Sequence, residues 1–215
     1  MLNRLLCLEM TIEIAGKRTD LEWRALEVRL KANFNNDELW SEAFKFCEER
    51  LNHRYIYPAE QIQNNSLIIG EGFAITAILC SLIEALETFY EGKCYKHDMP
   101  RNNHEYGNGN SQKLYVDFLT KKEPFNKEFN EDLAIDFYRN VRCALLHEAA
   151  TRNGWVIRID TQSLVEVDKD KKIINRDIFL NCIKQYIKSY RLIVLGSEVR
   201  KNAFIRKIDC ICRTV

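Results

Sequence analysis

Between Phe73 and Tyr90 the residues Ile75, Ile78, Leu79, Leu82, Ile83, Leu86, Phe89 and Tyr90 all fall within about 140° of arc when the chain is wound as an α-helix. A run of this regularity is a core helix, and the rest of the chain has to supply the elements that cover it. Glu84 lies directly opposite that arc and Glu87 about 60° from it, so both read first as solvated residues. A second reading has Glu84 facing another helix and pairing there with a buried cation, which satisfies both charges.

The flanking sequence supplies such elements. Thr19 with Glu22 forms a capping box, and Leu21, Ala25, Leu26 and Leu30 follow at helical spacing. A second helix opens after Asn35 and Asn36 and carries Leu39, Trp40, Ala43, Phe44, Cys47 and Leu51; Pro58 and the polar stretch Glu60 to Ser66 are expected to end it. Met10 to Ile14 alternates weakly, as a short strand would before a turn at Gly16 to Arg18, and Leu114 to Leu119 is an apolar run of either type. After the turn signal Asn153-Gly154, three stretches alternate like strands: Trp155 to Ile159, Leu164 to Val167, and Ile173 with Ile174 beyond a turn at Asp168 to Lys172. Ile178, Phe179, Cys182, Ile183, Tyr186, Ile187, Tyr190 and Val194 then mark a long helix stopped at Gly196, followed by a last helix. The expected fold is mainly α: a helical bundle with a small β-hairpin or meander laid over it. It reads as a single domain over 1–215, with an N-terminal helical part (1–66), central helices (70–150), the strands (155–175) and C-terminal helices (176–212).

With 215 residues, 46% of them apolar, the chain has ample material for one core. Thirty-two basic residues against thirty-one acidic ones leave a net charge of +1, so no overall field draws it to nucleic acid or anionic lipid, and any such contact has to be local. Its eight cysteines contain no Cys-x-x-Cys pair and are expected to be reduced in a cytoplasmic protein. The opening apolar run is cut by Glu9 and Glu13, and no uninterrupted run approaches the roughly 20 residues that span a bilayer, so a soluble protein without membrane contact is expected. The polar segment Lys93 to Gln112 is longer than an ordinary connection and reads as a functional loop or a partly disordered one. Its Cys94, His97 and His104 match no established metal spacing, so no metal is assigned; Arg101, His97 and His104 could instead meet phosphate. Lys184, Lys188 and Arg191, with Arg200, Lys201, Arg206 and Lys207, read as solvated faces, or alternatively as a rest for an RNA backbone.

The stretch Phe137 to Trp155, FYRNVRCALLHEAATRNGW, places charges inside a helical run that is apolar over most of its circumference. Arg142 lies between Tyr138 and Leu146 on that surface and therefore needs a partner. His147 follows five residues later, partly within reach of a long Arg side chain. The run Arg-Cys-Ala-Leu-Leu-His resembles the Arg-x4–6-His signature of the HEPN superfamily, and Gly70 to Gly92 looks like the long central helix of such bundles. The spacing window favours Arg142 over Arg139, which is separated from His147 by seven residues; Cys143 stands where the family often has Asn, Asp or His.

What the resemblance implies is a metal-independent endoribonuclease without cofactor, of the kind found in toxin–antitoxin and antiviral systems. RNA supplies its own nucleophile, the 2′-OH. His147 would move protons and Arg142 would stabilise charge developing at phosphorus, while Arg139, Asn140 and Glu84 would hold substrate. Glu148 is a candidate to orient His147, against which stands the angle of about 100° between adjacent helical residues. Expected partners are RNA, a second copy of the chain and an antitoxin or regulatory protein. The homodimer is also favoured by an all-round apolar helix that is hard to bury in one small bundle. The alternative is an inactive module of the same fold that holds a nucleotide or a partner.

Overall fold

The computed structural model describes residues 11–65 and 70–213. The order of elements is β1 (Glu13–Ala15), β2 (Arg18–Thr19), α1 (Asp20–Ala32), α2 (Asp37–Leu51), α3 (Tyr57–Asn64), α4 (Glu71–Glu91), β3 (Cys94–Tyr95), β4 (Glu105–Tyr106), α5 (Ser111–Lys121), α6 (Glu131–Phe137), α7 (Ala144–Glu148), β5 (Trp155–Arg158), β6 (Val165–Asp168), β7 (Lys171–Asn175), α8 (Arg176–Leu195) and α9 (Glu198–Arg213). The protein is mainly α, as its periodicity predicts. Met10 and the rest of the opening apolar run lie outside the described residues.

The helices start where their side chains can satisfy the free amides of a first turn. The Thr19 hydroxyl accepts from the Glu22 amide (3.3 Å) and the Glu22 carboxylate from the Thr19 amide (2.7 Å), completing the capping box of α1. Asn36 caps α2 through the Leu39 amide at 3.0 Å, and Asn175 caps α8 through the amides of Asp177 and Ile178. Pro58 does not end the second helical unit. A π-helical turn at Asn52–Ile56 joins α2 to α3, the Tyr57 amide bonds the Asn52 carbonyl, and Pro58 falls in the first turn of α3, where its missing amide is not needed. Leu114 to Leu119 resolves as part of α5.

Helix α4 runs through the middle, packed by α3, α5, α8 and α9. Its length and composition alone would let it cross a bilayer, but Ile75, Leu79, Leu82, Ile83, Leu86 and Phe89 are buried among those helices. Beyond one end of this layer, Phe204 of α9 packs against Trp23, Trp40, Phe44, Phe89 and Tyr190, tying α1, α2, α4 and α8 together at ring separations of 4.8 to 6.4 Å.

Three surface expectations are corrected. Glu87 is buried, 3% exposed, and pairs at 3.4 Å with Lys122, itself 8% exposed. Lys201 and Lys207, expected on a solvated stripe, are 7% and 9% exposed: they sit among Ala203, Phe204, Ile208 and Ile211, so their aliphatic stems are covered while their ammonium groups reach the carbonyls of Phe34 and Lys93. The reduced state of all eight cysteines fails as well. Cys94 of β3 is disulfide-bonded to Cys210 of α9, the two Cα atoms being 5.9 Å apart, which fastens the 93–110 segment to the last helix. Within that segment β3 and β4 pair in parallel.

The strands after the motif helix include the expected hairpin, β6 and β7 paired antiparallel about Lys169 and Asp170, but β5 joins it on the far side of β7 rather than as a meander. Their order is β5-β7-β6, with β7 antiparallel to β6 and parallel to β5. Ile174 near the end of β7 pairs with both Ile157 and Val165 and is fully buried, and Trp155 of β5 is buried as well. Placing β7 in the middle buries its apolar end from both sides. The turn before β5 is strained unless glycine is present: Gly154 has φ +77°, and a Cβ there would stand 1.9 Å from the Asp170 carbonyl oxygen. Gly154→Ala is expected to lower stability by about 2–4 kcal/mol through left-handed strain plus backbone displacement. Urea unfolding of the variant checks this, and an unchanged midpoint would contradict it.

Candidate active site around Arg142

The motif helix is three pieces wound as one: α6, a π-helical turn at Tyr138–Cys143, and α7. Asn130 caps its start through the Leu133 amide at 2.8 Å, and Phe137, Val141, Ala144 and Leu145 face the core. The wide turn holds Arg142, and π-turns of this kind recur at functional sites. The helix ends at Glu148 because Ala149 takes a left-handed conformation, φ +54°.

Arg142 does find a partner, and it is Glu84. Nη2 lies 3.3 Å from the Glu84 Oε2 atom, while the other Glu84 oxygen accepts from the Ser111 hydroxyl at 3.2 Å. Of the two readings of Glu84, the paired one holds, because the face of α4 opposite its apolar arc is turned toward the motif helix and α5. The guanidinium also lies over the Tyr138 ring, 5.3 Å from its centroid, with Cys143 Sγ 3.9 Å from Nη1. Burial works against its charge, but Tyr138, Cys143 and Glu84 together outweigh burial and hold its pKa above the ordinary arginine value. Its Nε is buried and has no hydrogen-bond partner among the described residues.

Arg142 lines a cavity of about 290 Å³ walled by α2, α4, α9 and β4. Glu84, Arg50, Lys207, Tyr55 and Tyr106 line it too. Burial pushes the Tyr106 hydroxyl pKa up, and the neighbouring Glu84 carboxylate adds to the effect.

The other expected site residues are distributed differently. His147 is exposed in the last turn, and no hydrogen bond, ion pair or ring contact joins its side chain to Arg142 or to any other described residue. Glu148 pairs with Arg152 rather than with His147. Arg139 is exposed. Asn140 donates to Asp136 at 2.8 Å, and Asp136 also accepts from Asn153 (2.7 Å) and Trp155 Nε1 (2.7 Å) and pairs with Lys172 (3.0 Å). Burial raises the Asp136 pKa, yet Lys172, Trp155 and Asn153 outweigh it and hold the carboxyl below its usual range. Asn140 is thus engaged in fixing the helix to the turn that follows it.

Among the described residues no three His, Cys, Asp or Glu side chains converge as metal ligands, and Cys94 is committed to its disulfide, leaving His97 and His104 exposed on the loop. The residues the sequence did not point to are Arg50 and Asp136, while Lys207 read only as part of a basic face and not as a wall of this cavity. Positions 50, 142 and 207 are brought together only by the packing of three helices; Lys207 alone left a trace, being four residues from both Ala203 and Ile211 on an apolar stripe. Chemically, the arrangement offers a fixed, desolvated cation at the wall of a polar cavity and an accessible imidazole farther along the same helix. Comparison with models of protein families, with characterised proteins and with solved structures finds no match for this chain.

Proposed function

We propose that the protein is a metal-independent endoribonuclease of the HEPN type, with Arg142 and His147 as its working groups. The observation that carries this reading is the state of Arg142: half-buried, and held by Glu84 alone among the carboxylates of the described residues. Such a guanidinium is positioned before substrate arrives and can bind two phosphate oxygens at once. The 2′-OH attacks the adjacent phosphorus as His147 takes its proton; the P–O5′ bond breaks and the 5′-oxygen leaves with a proton. The products are a 2′,3′-cyclic phosphate and a 5′-hydroxyl.

Within one chain His147 and Arg142 do not touch, so this reading has the site completed where two copies bring their motif helices together. Leu146, 49% exposed, and Arg139 lie on the outward side of the same segment as His147, available to a second copy. The setting proposed is toxin–antitoxin or antiviral defence, with a restraining protein supplied separately. The test is cleavage of a structured RNA in excess EDTA, assayed across a size-exclusion peak. Activity should persist under chelation and coincide with the mass of two chains. Loss on chelation with recovery on adding a divalent ion would overturn the mechanism, and activity confined to a one-chain species would overturn the shared site.

A further inference from the structure

The cavity beside Arg142 has a charge imbalance that the ribonuclease reading does not use. Three cations line it, Arg50 from α2, Arg142 from the π-turn and Lys207 from α9, against the single carboxylate of Glu84. Glu84 is already engaged by Arg142 and Ser111. Arg50 has a main-chain partner instead, the Ile14 carbonyl at 2.6 Å, and Lys207 likewise has the Lys93 carbonyl at 2.9 Å. A carbonyl satisfies a donor but does not neutralise its charge, and desolvated cations without counter-charge are costly. The cost is visible in both groups: burial pushes the pKa of Arg50 down, with Arg54 beside it adding to the effect, and burial pushes Lys207 down to about 8, with Arg50 adding to it and Glu84 opposing. The walls are pre-formed. The Cys94–Cys210 disulfide holds β3 against α9, and β3 in turn pairs with β4, which carries Tyr106 into the lining.

We propose that this cavity is a binding site for a phosphate dianion, held by Arg50, Arg142 and Lys207, with Tyr55 and Tyr106 also in its lining. The two negative charges of the dianion, set among two guanidinium groups and an ammonium against one carboxylate, would restore neutrality. At about 290 Å³ the cavity is at the lower end of ligand pockets, so it takes inorganic phosphate or the phosphate end of a mononucleotide, not a stretch of polymer. Arg50 and Lys207 belong to no part of the motif, and the site holds whether or not the protein cuts RNA.

The experiment is calorimetric titration of the full chain, in the absence of RNA, with inorganic phosphate and separately with 5′-AMP, against sodium chloride of equal ionic strength. Saturable one-site binding to phosphate is expected, and the stronger of the two titrants identifies the source of the group. Lys207→Gln should weaken binding at least tenfold, whereas Lys207→Arg, which keeps the charge, should bind within about threefold of the parent; a circular-dichroism melt of each variant confirms folding. No saturable binding beyond the chloride control, or equal affinity in folded Lys207→Gln, would overturn the proposal. Phosphate binding by a protein that never cleaves RNA would sink the ribonuclease reading alone, and cleavage by a protein that never binds phosphate would sink this one alone.

Discussion

Arg142→Ala is expected to lower RNA cleavage by about 10²–10³-fold, the scale on which losing one positioned donor to a developing negative charge reduces a rate. The substitution also removes the cation paired with Glu84, so a stability loss of about 1–3 kcal/mol accompanies it. A melt has to show that the variant is folded at the assay temperature. His147→Ala separates the two effects, because His147 is exposed and makes no contact whose loss would destabilise the fold. It should be as inactive as Arg142→Ala and melt like the parent. The double variant should be scarcely worse than either, since groups that act on one step are not additive. Arg139, exposed and outside the cavity lining, should cost less than tenfold when replaced by Ala. A folded Arg142→Ala protein that cuts RNA as fast as the parent would end the mechanism proposed here.

How far the sequence foretold this site depends on which physical signal each part left. The arc of Ile75 to Tyr90, the capping box at Thr19, the start after Asn36 and the apolar spacing of Ile178 to Val194 are local signals, and the helices they announce are present. The need of Arg142 for a partner followed from its place on an apolar surface, and Glu84 was one of two open readings; periodicity says which residues share a face but not what that face meets. That limit explains Glu87, placed by its angle in solvent and found buried because α5 delivers Lys122 beside it. Pro58 misled for a different reason. A π-turn moved it into a first turn, and nothing in composition signals a π-turn. The strand order β5-β7-β6 was hidden because alternation fixes the faces of strands but not their neighbours. The cavity depends on residues 50, 142 and 207, so its recognition required the tertiary fold.

At pH 8, above the pKa of about 7 that burial gives Glu87, Glu87→Ala should destabilise the protein by about 3–5 kcal/mol, the cost of leaving a buried cation without its counter-charge. Lys122 is held over the Tyr90 ring, 3.2 Å from its centroid, and its burial lowers its pKa, with Glu87 pulling the other way. Replacing both members of the pair, Glu87→Leu with Lys122→Met, should therefore cost less than Glu87→Ala alone. The pair also imposes a pH dependence. Burial pushes the Glu87 pKa up from 4.5 to about 7, Lys122 opposing and Glu91 adding to the rise. Between those values the folded chain holds a proton at Glu87 that the unfolded chain has released, so this group contributes stability fully below about pH 4.5 that is lost as pH rises through about 7. The amount is on the order of 2–3 kcal/mol. Lys122, shifted down, acts in the opposite sense at higher pH, which confines the test to the range from about 5 to 7. Urea denaturation across that range should show the parent losing stability relative to Glu87→Gln, whose amide cannot ionise. Parallel stability curves for the two proteins would mean that Glu87 is ionised in the folded state throughout, and the buried pair would then be an ordinary salt bridge.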